Sequence, residues 1–375
     1  MILPGATLGV LGGGQLGRMF TLAAHSMGYH VVVLDPDPHS PAGRIAGQHI
    51  QAGYTDHAGL QLLGNECAAI TTEFENVPAD SLEYLDQFCP VRPDAGAVRI
   101  AQDRIREKNL FREHDLATAP FIAIYEAGDL EDAFGELTPP LLLKTATLGY
   151  DGKGQIQVGT LEQAVAAFEQ LGSRNCILEE VIDLDCEISV IVARGIDGHM
   201  VSYPVGENRH VHGILDTTLV PARIDNSISE RAVDMARRLA TALDYCGVLA
   251  VEFFHTRDGA LLINEMATRP HNSGHYTVDA CVTSQFAQQV RCMCGLPPGA
   301  SDLLTPVVMT NLLGDIWDNG LPAWEHILNE PYAHLHLYGK HVARPGRKMG
   351  HFNCLAGDVD GALQLATRIR ERLGF

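Results

Sequence analysis

Hydrophobic positions near the start of the chain come in short runs separated by glycine-rich or polar breaks. Thr7 to Leu11 is an apolar run that leads into Gly12-Gly-Gly-Gln-Leu-Gly17. A stretch with helical spacing follows from about Leu16 to Met27, and Gly28 stands where a helix C′ glycine belongs. His30-Val-Val-Val-Leu34 is continuous, short and β-branched, which predicts a strand buried on both faces. Ala68 to Thr72 and the segment near Pro90-Val91 continue the alternation. Together they predict a parallel, doubly wound α/β unit of roughly one hundred residues.

The pattern then changes. Ala101 to His114 has helical spacing and many charges, and Pro120 to Ile124 opens a new set of strands. Residues 138–160 read as an apolar strand, a glycine loop and a short strand, and Ala164 to Leu171 as a helix. Residues 176–205 alternate as antiparallel strands do, and Ser229 to Leu243 is helical. Residues 247–265 predict a hairpin about a two-residue Asp258-Gly259 turn. Strands near Val307 to Leu312 and His334 to Tyr338 and a helix from about Gly361 to Leu373 complete the chain. The fold class is α/β and α+β, with a parallel domain first, an α+β middle and a small β-rich end.

Composition narrows the classes. A chain of 375 residues has room for two or three domains, and mean hydropathy near zero with 46% hydrophobic residues predicts a soluble globular protein. No apolar run approaches the ~18 residues a membrane span needs, and the N-terminus reads into a strand without a basic region, so no signal peptide is expected. The nine cysteines are scattered, with Cys292 and Cys294 the only close pair, as expected of reduced thiols in a cytoplasmic protein. The net charge of −19 argues against non-specific nucleic-acid binding. It leaves room for an anionic small molecule in a locally cationic pocket.

Gly12, Gly14 and Gly17 fit the G-x-G-x-x-G spacing, and Asp35 lies where a ribose-binding acid would sit. At this point two readings stand: a dinucleotide site at a helix N-terminus, or glycines that let strand and helix pack closely. Further on, Pro139 to Lys144 is a strand ending in a lysine, followed by Gly149-Tyr150-Asp151-Gly152-Lys153-Gly154. Three glycines bracketed by two lysines suit a polyphosphate, although no Walker A loop is present. In the hairpin, counting outward from the turn sets Glu252 opposite Glu265. Two facing carboxylates between apolar runs call for compensation; beside a phosphate site they point to Mg²⁺, with a shared proton or a nearby arginine as the alternatives.

In order, these segments resemble the ATP-grasp ligases. Three further motifs, Gly12 to Arg18, Glu73-Phe-Glu-Asn-Val-Pro78 and Asn264 to Thr277, resemble those of the N5-carboxyaminoimidazole ribonucleotide synthase family of purine biosynthesis. The one departure is Thr268, where the family pattern has proline. The resemblance implies an ATP-grasp fold with a Rossmann-like pre-ATP-grasp domain (1–103), an ATP-grasp domain (104–300) with a mobile lid at about 120–185, and a small C-terminal domain (301–375). It implies a carboxylation that uses ATP, Mg²⁺ and bicarbonate to place a carboxylate on the exocyclic amine of 5-aminoimidazole ribonucleotide. It also implies a cytoplasmic homodimer and a functional hand-off to the N5-carboxyaminoimidazole ribonucleotide mutase. ATP contacts carry over to Arg104, Lys144, the loop from Gly149 to Gln155, Glu179, Glu180, Val181, Ile182, Glu187 and His210, with Asn264 and Glu265 beside them. Glu252 and Glu265 are the metal ligands. Arg269, His271 and Asn272 face bicarbonate and the ribonucleotide, Arg269 with a catalytic role. Gln15, Leu16, Glu73, Glu75 and Asn76 are expected at the ribonucleotide. Lys340 to Lys348 holds four Lys/Arg in nine residues, and there Lys340, also catalytic, and Arg347 are the expected phosphate or substrate ligands. The alternatives are another ATP-grasp ligase, such as the formate-dependent glycinamide ribonucleotide transformylase, and an NAD-dependent oxidoreductase.

Overall fold

The structure is a computed structural model that describes residues 1–147, 154–318 and 320–375. Strands β1 (Thr7–Leu11), β2 (His30–Leu34), β3 (Gln48–Ile50) and β4 (Ala69–Thr72) form a parallel sheet in the order β3-β2-β1-β4. Helices α1 (Gln15–Ser26), α2 (His57–Glu66), α3 (Ala79–Leu85) and α4 (Ala95–Ala101) accompany it. Alternate residues of one strand enter different cores. Val31 and Val33 pack with α1, whereas Val32 and Leu34 pack with α2 and α3. A sheet covered on both faces needs apolar residues at every position, which is why the strand pattern is continuous. The segment near Val91 adds only a single parallel bridge to Ile70.

The charged stretch 101–114 is broken into two helices. Asp103 accepts hydrogen bonds from the N–H groups of Ile105 and Arg106 and so caps a new helix, α5 (Arg104–Glu113). The break sets Arg104 in a first turn. Strands β5 (Phe121–Ile124), β6 (Leu141–Thr145), β7 (Gln155–Val158) and β8 (Cys176–Glu180) make an antiparallel sheet in the order β5-β8-β6-β7. Helices α6 (Asp129–Glu136) and α7 (Leu161–Gln170) cover it with a core of its own. Residues 181–183 are the short link from this unit to the rest.

The remaining strands are β9 (Leu184–Arg194), β10 (Met200–Ser202), β11 (Gly206–Val211), β12 (Ile214–Val220), β13 (Gly247–Thr256), β14 (Leu261–Ala267), β15 (Val307–Leu313), β16 (Ala333–Leu337) and β17 (Lys348–Leu355). They form one nine-stranded sheet in the order β14-β13-β9-β11-β12-β15-β17-β16, with β10 paired to β9. Helices α8 (Asn226–Ala242), α9 (Thr277–Ala280), α10 (Gln285–Met293), α11 (Glu325–Leu328) and α12 (Val359–Leu373) pack around it. The C-terminal strands therefore continue the central sheet, Val220 pairing with Val307. Among the described residues, no helix is long and apolar enough to cross a membrane.

The hairpin departs from expectation in its turn. His255 pairs with Leu261, so the loop spans Arg257, Asp258 and Gly259, with Gly259 in the left-handed region at φ +84°. That is the three-residue loop with glycine at its last position rather than the two-residue turn. Register then shifts again, because Asn264 is an extra residue between Ile263, opposite Phe253, and Glu265, opposite Glu252. The two shifts of one residue cancel, and the carboxylates do face each other.

Candidate active site

The end of the cleft where nucleotide contacts are expected begins with a buried charge cluster. Lys144, at the end of β6, donates to Glu179 Oε2 at 2.6 Å. Glu179, on the neighbouring β8, also has Lys108 Nζ 3.5 Å from its other oxygen. Burial works to raise the Glu179 carboxyl, but the two ammonium groups outweigh it and hold the group at about 2. Lys108 is almost wholly buried and also donates to Thr118 Oγ1 at 2.6 Å. It was not expected from the motifs. Its signal is spacing: Ile105, Lys108 and Phe111 recur every three residues of α5, which puts a lysine on the apolar stripe.

Beside this cluster stand the paired carboxylates. Arg104 reaches Glu265 Oε2 at 3.1 Å, with 40% of the Glu265 side chain still open to the cleft. Burial would raise Glu265, yet Arg104 and Lys144 hold it below the usual range. Glu252 behaves oppositely: burial and the Glu265 charge push it well up. Glu107, a second acid that the motifs did not flag, accepts from the N–H of Met266 at 2.7 Å and is also pushed up by burial and Glu265. His271 Nδ1 lies 3.6 Å from Glu252 Oε1, but burial and nearby Arg269 keep the imidazole neutral. The two carboxylates face each other, and Glu265 is still partly open to the cleft, so this oxygen-rich pair fits Mg²⁺. Glu187, on β9, holds His210, on β11, at 2.6 Å; although burial disfavours its charge, this contact and the Glu252 field raise His210. Asn264 is the bulge residue next to the pair.

Glu180, Val181 and Ile182 lie where the small sheet meets the link. The N–H groups of Glu180 and Val181 bond the carbonyls of Pro120 and Pro140, and Val181 is an exposed apolar side chain. Gly154 and Gln155 enter β7, with the Gly154 carbonyl accepting from Thr145 N–H at 2.9 Å. The expected phosphate-loop residues Gly149, Tyr150, Asp151, Gly152 and Lys153 fall outside the described residues.

At the opposite end lies the glycine loop. A Cβ on Gly12 would stand 2.8 Å from Phe74 Cβ, and one on Gly17 would strike the Gly12 carbonyl oxygen. Asp35 accepts from Gly13 N–H at 2.6 Å and from Tyr54 hydroxyl at 2.7 Å, through the same oxygen. Its other oxygen takes Asp37 N–H at 2.8 Å. The acid that could have gripped a ribose instead closes the loop, so the glycines serve close packing and aim the first turn of α1 at the cleft.

There the expected ribonucleotide residues divide. Gln15 meets Lys340, which donates to Gln15 Oε1 at 2.6 Å and to the Lys348 carbonyl at 2.5 Å. Glu75 is paired with Arg269 across the seam between the parallel domain and β14. Glu73 is buried with both carboxylate oxygens unpartnered, and burial raises it far above the ordinary range despite Arg269. Asn76 is half-buried on the same loop, and Leu16 points its side chain into the core. Asn272 is also turned inward, where it exchanges amide hydrogen bonds of 3.0 and 2.7 Å with Asn311. Arg347 donates to the Val342 carbonyl at 2.7 Å and shapes the basic segment. The signal for Asn311 is weak, since an asparagine within the apolar run Val307 to Leu313 reads equally as an edge position.

Comparison with known proteins gives this geometry its context. Family models match residues 5–102 as a ribonucleotide synthetase preATP-grasp domain, 109–286 as an ATP-grasp domain and 307–365 as a phosphoribosylaminoimidazole carboxylase C-terminal domain. The N5-carboxyaminoimidazole ribonucleotide synthase of Bacillus subtilis is 42% identical over 98% of this chain and 96% of its own. The Staphylococcus aureus N5-carboxyaminoimidazole synthetase complexed with ADP superposes with a TM-score of 0.92 at 37% identity, covering 98% of each chain. The Aspergillus clavatus synthase in complex with ADP and 5-aminoimidazole ribonucleotide gives 0.91 at 31% identity, again over 98% of each. With its three matched domains in order and near-complete coverage of relatives well above 30% identity, this chain belongs to the N5-carboxyaminoimidazole ribonucleotide synthases of the ATP-grasp ligases.

Proposed function

We propose that this chain carboxylates 5-aminoimidazole ribonucleotide with bicarbonate and ATP, giving N5-carboxyaminoimidazole ribonucleotide, ADP and phosphate, as a step in purine biosynthesis. A bicarbonate oxygen attacks the γ-phosphorus and ADP leaves, forming carboxyphosphate. Its C–O bond then breaks to release phosphate, and the carbon is taken by the exocyclic amine, which loses a proton. Phosphoryl transfer of this kind depends on positioning and charge neutralisation. Lys144, held by Glu179, which Lys108 in turn anchors, and Arg104, held at Glu265 until nucleotide arrives, supply cations for the phosphates. Glu252 and Glu265 would hold Mg²⁺, which when bound adds further neutralisation at the phosphates. Glu187 and His210 would meet the nucleoside. Arg269 would hold bicarbonate, with neutral His271 beside it. Water must be excluded while an acyl phosphate exists, and the unit built on the small sheet, β5 to β8, would close as a lid about the 181–183 link, so that the lid, expected at about 120–185, ends before β9 begins at Leu184.

The observation that carries the ribonucleotide side is the Lys340–Gln15 contact, which joins a basic C-terminal segment to the first turn of α1 from 325 positions away. Glu73, with its unpartnered buried carboxyl, completes that end. The division into residues 1–103, 104–300 and 301–375 fits these roles. The family resemblance supports a cytoplasmic homodimer, and the lability of an N-carbamate supports prompt hand-off to the mutase. The test is ADP release from the purified chain: it should require aminoimidazole ribonucleotide and bicarbonate together. Release with formate and glycinamide ribonucleotide, or independent of the aminoimidazole, would overturn the reading.

A further inference from the structure

On the face of the central sheet turned away from the ATP cleft, three side chains of different chemistry converge. His255 of β13 lies directly opposite Cys186 of β9, and the next pair is Thr256 with Leu184. Asp185 is therefore the extra residue of a β-bulge. Consecutive residues of a regular strand point to opposite faces. A bulge breaks that rule and re-aims a side chain, so Asp185 and Cys186 both reach His255. Its Nδ1 stands 3.3 Å from Asp185 Oδ2 and 3.8 Å from Cys186 Sγ. All three ligand atoms lie within 4.8 Å of one another. Metal–ligand bonds of about 2.0–2.3 Å in a tetrahedron imply N–O and N–S separations of about 3.3 and 3.6 Å. The found distances are close to those.

We propose that Asp185, Cys186 and His255 form a binding site for one thiophilic divalent cation of the Zn²⁺ class. A thiolate, an imidazole and a carboxylate suit Zn²⁺ and Co²⁺, whereas Mg²⁺ prefers oxygen alone. The site is separate from the Glu252–Glu265 pair in position and in chemistry. It leaves a fourth position open beside Asp185, whose side chain is 60% exposed. It stands just after the 181–183 link, so an occupied site ties the start of β9 to the end of β13. Burial, then the charges of Asp185, Glu207 and Glu187, push the Cys186 thiol up to about 11, with Arg223 opposing. Coordination must therefore displace the thiol proton into solvent, and affinity should rise about tenfold per pH unit between pH 6 and 8.

The test is titration of the reduced, nucleotide-free full-length chain with Co²⁺. One equivalent should produce thiolate-to-cobalt absorption and tetrahedral visible bands, and Zn²⁺ should displace it. Cys186→Ser should abolish the thiolate band, and His255→Ala should weaken binding at least tenfold, both without change in ATP turnover. Absence of a saturable thiolate band, or its persistence in Cys186→Ser, overturns the proposal. Should a variant fail to fold, the wild-type chain still decides. Zn²⁺ should protect Cys186 from maleimide labelling read by peptide mass, and unprotected labelling at saturating Zn²⁺ overturns the site.

Discussion

Lys108 offers a sharp test, because its role can be sized from geometry. Its side chain is 1% exposed and its ammonium is 3.5 Å from Glu179 Oε1, while Lys144 holds the other oxygen at 2.6 Å. At an effective dielectric of about 20 the Lys108–Glu179 attraction is about 5 kcal/mol. Lys108→Met loses that attraction but also removes the cost of burying an ammonium. Removing one member of a buried pair costs about 3–5 kcal/mol net, and the surviving Lys144 sets the expectation at the low end, near 3 kcal/mol. At about 2 °C per kcal/mol the melting temperature should fall by roughly 6 °C. Activity should respond as well. With one cation gone, Glu179 draws Lys144 more tightly and leaves less of it for phosphate, so KM for ATP should rise roughly tenfold, about 1.4 kcal/mol. Differential scanning fluorimetry and steady-state kinetics measure both. A melting temperature within about 1 °C of wild type would mean less than ~0.5 kcal/mol was at stake, and the buried-cluster argument would fail.

Other expectations follow from the same cleft. Glu265→Gln removes the proposed metal ligand and the partner of Arg104, so turnover with Mg·ATP should fall at least ~100-fold; near-normal activity removes the metal role. Arg347→Ala should raise KM for aminoimidazole ribonucleotide at least ~5-fold, about 1 kcal/mol, with KM for ATP unchanged, and an unchanged ribonucleotide KM sinks the assignment. Glu252 has its folded pKa raised by burial and Glu265, so its contribution to stability is present at low pH and is lost as pH rises through that raised value. Without Mg²⁺, wild type should therefore lose melting temperature relative to Glu252→Gln on going from about pH 5 to 8, and a constant difference between the two would count against the raised carboxyl.

The parts of the fold legible in the sequence were those where one physical demand dominates. His30 to Leu34 could be read to the residue because a strand covered on both faces admits only apolar side chains. Two other demands were not visible, one local and one tertiary. Asp103 ends one helix and caps the next, a local hydrogen-bond choice that the charge-rich periodicity of 101–114 conceals. β17 was missed because His351 and Asn353 make it look polar, although both are fully buried and held by tertiary partners, Tyr338 and Asp279. The hairpin is instructive in a different way. Its turn is one residue longer than the Asp-Gly signal implies, and the bulge at Asn264 returns the register, so the Glu252–Glu265 pair was right although the path to it was not. In the site, charge pairs across distant elements, such as Lys108 with Glu179, depend on packing that no local pattern encodes.

The charge arrangement also explains how a chain of net −19 accepts a polyanion. The cations around the cleft are already partnered: Lys144 and the buried Lys108 share Glu179, Arg104 meets Glu265, and Arg269 meets Glu75. Paired this way they are held in place, with Glu179 offsetting the repulsion between Lys108 and Lys144, and an Arg104 that turns toward a phosphate gives up its contact with Glu265. The acid so released faces Glu252, whose carboxyl burial and the Glu265 charge already push up. Nucleotide and divalent cation are therefore coupled through Arg104, each removing the charge imbalance that the other creates. ATP alone should bind at least ~10-fold more weakly than Mg·ATP, a coupling of about 1.4 kcal/mol. In Glu265→Gln, where Arg104 is released from the start, that ratio should collapse toward one. An undiminished ratio in the variant, measured by calorimetry, would show that the coupling does not run through this pair.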